Sequence, residues 1–248
     1  YYATGTVRGV GVRDASQDVL GVIHSDIDLA KEKIKLIMTQ QYNCGKTNHY
    51  FYPIEKREPI VSDRSDNHLW MVYTVYQIIC EEGKTDVLND EVEYYDGGKG
   101  TVFEHLEKSI DYTLAHIGKD GIPLMLGSDW NDMLSNVCKK GKGESVFVSQ
   151  MLVLACRNMK EICEITGRDY SKYDKVIEEQ TKILNDEFWD KDRYVRAVTD
   201  DGMKLGKNGD KCAEIWINSQ SWAVMSGISG KEKGKIAMKT AVDKLDCG

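Results

Sequence analysis

The sequence predicts an all-α fold, an array of helical hairpins, and three observations carry that prediction. Apolar residues recur at helical spacing in one segment after another, each opened by a capping residue such as Ser or Thr, and several are closed by Gly. Prolines number only three in 248 residues, so few positions interrupt a helix. Strand-like alternation is scarce, confined to 194–198 and to 7–12.

Taken in order, the opening stretch up to Gly11 is rich in Gly, Thr and Val and starts without a Met. It reads as the interior of something longer, and the Lys244-Leu245-Asp246-Cys247-Gly248 end reads as a helix terminus, so a fragment is expected. Helical punctuation begins at Asp14. Ser25 and Asp28 form a capping box ahead of Ile27, Ala30, Ile34, Ile37 and Met38. Ser65 precedes Leu69, Val72, Tyr73, Tyr76 and Ile79, with Gly83 placed to stop that helix. Thr101 and Glu104 form a second box leading into Leu106, Ile110 and Leu114, with Gly118 as the expected stop. A long apolar helix follows over 145–166 and ends at Gly167; Ser171 starts the next, which carries Ile177, Leu184 and Phe188. Two shorter helices are expected at 220–226 and 231–245. With no low-complexity linker between them, residues 1–248 read as parts of one domain.

Composition excludes several classes of function. A formal charge of -7 opposes a phosphate-backbone binder, so no nucleic-acid partner is expected. No stretch approaches the roughly 20 apolar residues of a membrane span, and the first residues lack the basic and apolar regions of a signal peptide. The seven cysteines are scattered and form no C-x-x-C pair, which reads as free thiols in a reducing compartment, mostly packed as small hydrophobes. The five histidines are dispersed as well, and no metal site is expected.

Chemistry concentrates in the loops. Gly127-Ser128-Asp129-Trp130-Asn131-Asp132 sets two carboxylates around an indole and an amide. Carboxylates move protons, an indole makes a flat apolar floor and an amide bonds hydroxyls, a set that suits a sugar ring. The plainer alternative is a capped turn, with Asp129 or Asp132 as N-cap and Trp130 in the core. Arg8-Gly9-Val10-Gly11-Val12-Arg13-Asp14 places two arginines and a carboxylate around small residues, either as a ligand site or as an internal Arg–Asp pair capping the first helix. For Ser62-Asp63-Arg64-Ser65-Asp66-Asn67-His68-Leu69-Trp70, capping by Ser65 or Asp66 with Trp70 in the core is the stronger reading. Gly141-Lys142-Gly143-Glu144-Ser145 resembles a phosphate cradle but fails the G-x-x-x-x-G-K-S/T pattern. Asn218-Ser219-Gln220-Ser221-Trp222 repeats the amide, hydroxyl and indole theme, with a capped helix and one buried Trp as its alternative.

The order of these runs is more specific than any one of them. R-G-x-G-x-R-D-x-x-Q-D-x-L-G from Arg8 is followed by D-x-x-L-W from Asp66, F-E-H-L from Phe103 and G-x-P-L from Gly121. D-W-N-D from Asp129, E-S-V from Glu144 and Q-S-W-A-V from Gln220 complete the series. Together they resemble the cellobiose phosphorylase family, inverting β-glycoside phosphorylases of the glycoside hydrolase family 94 type that include cellobiose, chitobiose and laminaribiose phosphorylases. The resemblance runs from Arg8 to about Gly227.

It implies a catalytic (α/α)6 barrel, incomplete at the ends here and flanked in the family by a β-sandwich and C-terminal segments, in a cytoplasmic homodimer. It implies no cofactor, with inorganic phosphate as co-substrate and a β-linked disaccharide or oligosaccharide as partner. By motif position Asp132 matches the general acid. Arg8, Asp14 and Trp130 match residues that hold the non-reducing sugar, and Arg13 and Asp129 support them from the same motifs.

Inverting phosphorolysis needs one acid, because phosphate is already a nucleophile; an inverting hydrolase needs a second carboxylate to activate water, for which Glu144 and Asp66 are the candidates. A third possibility is a non-catalytic carbohydrate-binding helical domain. As an acid, Asp132 is expected under apolar cover from Trp130 or beside the like charge of Asp129. Two departures from the family pattern stand out. After Trp222 the chain holds neither the His nor the Thr-Gly pair of the family's phosphate site, so this piece alone is expected to be poorly active. Asn218 and Ser219 stand where cellobiose phosphorylases tend to carry Glu and Pro, which puts cellobiose itself in doubt.

Overall fold

A computed structural model describes residues 9–53 and 57–246, so Arg8 lies outside the described residues. The fold is all-α: among the described residues eight α-helices carry it, joined by loops whose strands are two or three residues long. The chain divides into two compact units, Tyr1–Ala115 with Glu161–Arg168, and His116–Lys160 with Asp169–Gly248.

In the first unit, β1 (Val10–Gly11) pairs antiparallel with β2 (Tyr50–Phe51), and α1 (Val12–Val22) packs on α2 (Ile27–Met38) and on α3 (Asn67–Glu82). A hairpin of β3 (Glu91–Glu93) and β4 (Lys99–Thr101) leads into α4 (Val102–Leu114). Helix α3 is buried on nearly every side over its first turns, from Asn67 through Val72. Among the polar groups buried there, His68 Nε2 meets Thr113 Oγ1 at 2.6 Å. The His105 of F-E-H-L is likewise internal, set between Gln41 and the Val92 carbonyl and stacked on Tyr94.

The cap at Thr101 forms as expected: Thr101 Oγ1 accepts from the Glu104 amide at 3.2 Å and Glu104 Oε2 accepts from the Thr101 amide at 2.6 Å. Gly83 stops α3 at φ 68°. Two boundaries differ from expectation. Asp26, not Ser25, caps α2, taking the Leu29 amide at 3.0 Å, because Ser25 is turned back onto the Val22 carbonyl. Helix α4 ends at Leu114, short of Gly118, whose amide instead closes a turn onto the Ile122 carbonyl.

In the second unit, β5 (Glu144–Ser145) enters α5 (Val146–Thr166), whose residues from Glu161 on count with the first unit; α6 (Ser171–Glu187) and the hairpin of β6 (Trp189–Asp190) and β7 (Arg193–Tyr194) follow. Then come β8 (Ala197–Val198), β9 (Lys204–Leu205), α7 (Ile217–Met225) and α8 (Gly230–Leu245). Ile122, Val146, Val153, Leu184, Phe188 and Tyr194 centre its core. The single strand expected at 194–198 is two: Tyr194 pairs with Trp189, whereas Ala197 and Val198 pair with β5 and β9. The chain changes partner at Val195 and Arg196, and 193–198 is buried throughout, so alternation gives way to burial on both faces. Of the described cysteines, Cys138, Cys156 and Cys163 are buried, but Cys44, Cys80 and Cys212 are exposed, so thiol packing holds for only half.

Candidate functional site

The D-W-N-D loop of the second unit is not a plain capped turn. Asn131 is the cap, its side chain taking the Met133 amide at 3.1 Å to open a 3₁₀ turn over Asp132–Cys138. Trp130 is not a core plug but 47% exposed, and Asp132 is exposed beside it. Leu134, Val137 and Cys138 fasten the turn from below to Met125 and Ala197. The result is an indole and a carboxyl presented to solvent on an anchored base.

Asp129 does the anchoring. Its side chain is wholly buried; Oδ1 accepts from Arg196 Nη2 at 2.6 Å and from the Asn131 amide at 3.0 Å, and Oδ2 accepts from Ser145 Oγ at 2.6 Å. Ser145 Oγ also takes the Val148 amide at 3.1 Å, so the same hydroxyl caps the start of α5. Arg196 is fully buried, its guanidinium 5.5 Å from the Phe147 ring and 5.7 Å from the Trp216 ring. A buried pair of charges is tolerable only with geometry of this quality, since each ion has lost its water. Neither neighbour expected to press on the acid is placed to do so: Asp129 is paired with Arg196 and Trp130 is exposed. Asp132 Oδ1 lies 3.5 Å from Ser128 Oγ.

In the first unit, the described part of the R-G-x-G-x-R-D run, from Gly9 to Asp14, builds the entry to α1. Gly9 has φ 71°, and a Cβ there would meet the Tyr52 ring at 2.9 Å. A Cβ on Gly11 would meet Asp14 Oδ2 at 2.2 Å, so the glycine lets the Asp14 carboxylate fold back over the backbone. Asp14 is 50% exposed and within reach of a ligand. Arg13 turns inward. Its Nη1 meets Asp66 Oδ1 at 3.2 Å and Oδ2 at 3.3 Å, and Asp66 Oδ2 also accepts from Trp70 Nε1 at 3.0 Å. Arg13 Nε also stands 4.0 Å from Asp14 Oδ1, a looser ion pair than the hydrogen-bonded one with Asp66, which spends its carboxylate there instead of capping α3.

Glu144, the other candidate second carboxylate, is also spent within the protein. Its oxygens accept from the Asp120 amide at 3.2 and 3.3 Å, and a Cβ on Gly118 would strike its carboxyl at 2.4 Å. Burial, with the nearby Asp120 charge, pushes Glu144 above the usual carboxylate range. The loop before it does form an anion nest, but Asp200 fills it: the amides of Lys140, Lys142 and Gly143 donate to its carboxylate at 2.7, 2.8 and 3.0 Å. Gln220 of Q-S-W clamps the backbone of Tyr194 from both ends, at 2.8 and 2.9 Å, and Trp222 is half-buried edge-on to Phe147.

Sequence reasoning missed Arg196 and Ser145 as members of this network. The signal was available for the first: a lone arginine inside the apolar run Tyr194-Val195-Arg196-Ala197-Val198 must be paired if that run is buried. No group of three or more metal-ligating side chains gathers among the described residues, and no described helix is long and apolar enough to cross a membrane.

Comparison with known proteins gives a consistent result. A family model described as "Glycosyl hydrolase 94 superfamily, catalytic domain" matches residues 1–247. The catalytic domain of that family is an (α/α)6 barrel, with which the all-α fold agrees. The chain is 34% identical over 245 residues to a solabiose phosphorylase of Paenibacillus borealis, covering 98% of this chain and 31% of that protein. To an N,N'-diacetylchitobiose phosphorylase of Vibrio proteolyticus it is 28% identical over 272 residues, covering 98% of this chain and 33% of that protein. It thus spans about a third of the length of these relatives. Among solved structures, a GH78 family rhamnosidase of Bacillus sp. GL1 superposes with TM-score 0.66 at 12% identity, over 96% of this chain and 23% of that one, a likeness of fold alone. On its ordered motifs and this match, the chain belongs to the glycosyl hydrolase 94 superfamily, as catalytic-domain sequence.

Proposed function

We propose that the full-length protein carrying this chain is an inverting β-glycoside phosphorylase, cleaving a β-linked disaccharide or oligosaccharide with inorganic phosphate. The observation that carries the reading is the open Asp132 carboxyl on a loop whose other carboxylate, Asp129, is buried and neutralised. One carboxyl is left to deliver a proton. Asp132 protonates the glycosidic oxygen, phosphate attacks the anomeric carbon from the opposite face, and an α-sugar 1-phosphate, α-glucose 1-phosphate from a glucoside, forms as the shortened sugar leaves. Trp130 supplies an apolar floor, and Arg8 and Asp14 hold the non-reducing sugar by motif position. Arg13 and Asp129 work behind them, each locked in an internal ion pair. Desolvation of the acid falls to the bound sugar itself.

Phosphorolysis is favoured over hydrolysis because Asp66 and Glu144 are both fully buried and bonded within the protein, leaving neither poised to activate water. The relatives named above are a solabiose and a diacetylchitobiose phosphorylase, and with Asn218 and Ser219 in place the substrate of this protein is a β-linked glucoside other than cellobiose or an N-acetylglucosaminide. A cytoplasmic homodimer, with no cofactor, completes the proposal.

The test is to incubate the full-length protein with a panel of β-linked disaccharides, with and without phosphate, and to quantify sugar 1-phosphate. Product is expected only with phosphate. Asp132→Asn is expected to lower kcat by about 10²- to 10⁴-fold, the range of general acid catalysis. Sugar release without phosphate would establish a hydrolase, and full turnover by the Asp132 variant would make this helical domain a non-catalytic, carbohydrate-binding part of the protein.

A further inference from the structure

We propose that Arg196 is a positioning residue for the segment Trp130-Asn131-Asp132, acting through Asp129; the inference rests on Asp132 being the acid. The contacts form a short relay. Arg196 Nη2 holds Asp129 Oδ1 at 2.6 Å, and that same oxygen takes the Asn131 amide at 3.0 Å. The Asn131 side chain in turn takes the Met133 amide at 3.1 Å, which sets the first turn of the 3₁₀ segment at Asp132. The orientation of the acid is thereby referred back to a guanidinium that lies 67 positions away in sequence.

Arg196 is built for rigidity. It sits where the chain leaves β7 and joins β8, and its amide donates to the Leu205 carbonyl at 2.7 Å. Gly206, at φ 80°, passes so close that a Cβ would lie 3.2 Å from the Arg196 nitrogen and 3.1 Å from the Trp216 ring. The Phe147 and Trp216 rings confine the guanidinium, and Nη1 reaches Ser145 Oγ at 3.5 Å. Its Nε is buried without a partner, so the charge is not held there to satisfy the arginine. The demand comes from the other side: a wholly buried Asp129 carboxylate without its cation is an uncompensated charge, and a swing toward water to regain solvation would release the Asn131 amide.

A displacement of about 1 Å at a reacting group can cost on the order of 10²-fold in rate. In the full-length protein, Arg196→Met is therefore expected to lower kcat for phosphorolysis about 100-fold while KM for the disaccharide changes less than about threefold. Arg196→Lys, which keeps the charge, is expected to recover about tenfold of that loss. Asp129→Asn is expected to show the same kcat-selective defect, and the Arg196→Met/Asp129→Asn pair to be no worse than the poorer single variant, as for two members of one relay. Thermal unfolding identifies folded variants. If Arg196→Met does not fold, Asp129→Asn, nearly isosteric, carries the test alone. An inactive Asp132→Asn beside a folded Arg196→Met or Asp129→Asn with parental kcat would overturn the positioning role and leave the acid in place. An active Asp132→Asn would instead remove the reading on which the role depends.

Discussion

Asp66 and Asp129 each pair with an arginine, lose their water and turn from reagents into fixtures, whereas Asp14 and Asp132 face solvent. Glu144 is a fixture of a third kind, a buried carboxyl tied to backbone amides with no cation in bonding distance among the contacts described. Burial and the Asp120 charge raise its proton affinity in the native state relative to the unfolded chain. A raised native value means that the stability it contributes is complete below the ordinary carboxylate range, about pH 4.3, and is lost as pH rises through its own native value. Glu144→Gln abolishes that titration. The variant's melting temperature relative to the parent is thus expected to improve from pH 4 toward neutrality; a difference independent of pH would show that Glu144 carries no such penalty.

At the level of elements, punctuation was the most legible feature. The Thr101 and Glu104 box, the Gly83 stop and the run from Val146 to Thr166 follow from local rules, because the groups involved lie within four residues of one another. Thr101→Ala is expected to cost about 1 kcal/mol, within a range of 0.5–2, read as a lower urea midpoint at unchanged m-value. The less legible elements are those with distant partners. Ser25 and Asp26 compete for one cap, and the contact of Ser25 with Val22 decides between them. The 194–198 run is divided because Trp189 claims its first residue and β5 with β9 claims its last two.

At the level of the whole molecule, the proposed phosphorolysis would require an acidic chain with a net charge of -7 to gather phosphate through local positive charge. The anion nest of the 140–143 loop is filled by Asp200, whose carboxyl those three amides hold below its usual range against the opposing effect of burial. With no His or Thr-Gly pair after Trp222, the 248-residue chain by itself is expected to show little phosphate-dependent turnover on a substrate the full-length protein cleaves. Comparable sugar 1-phosphate production by the two would contradict this. The family, the all-α class and the residues of the D-W-N-D and R-G-x-G-x-R-D motifs were determined by sequence alone, because periodicity, caps and motif order are local or one-dimensional. Tertiary structure decided which carboxylates are spent: Asp129 meets Arg196 and Asp66 meets Arg13 across 67 and 53 positions, and only folding brings such charges out of water and into contact.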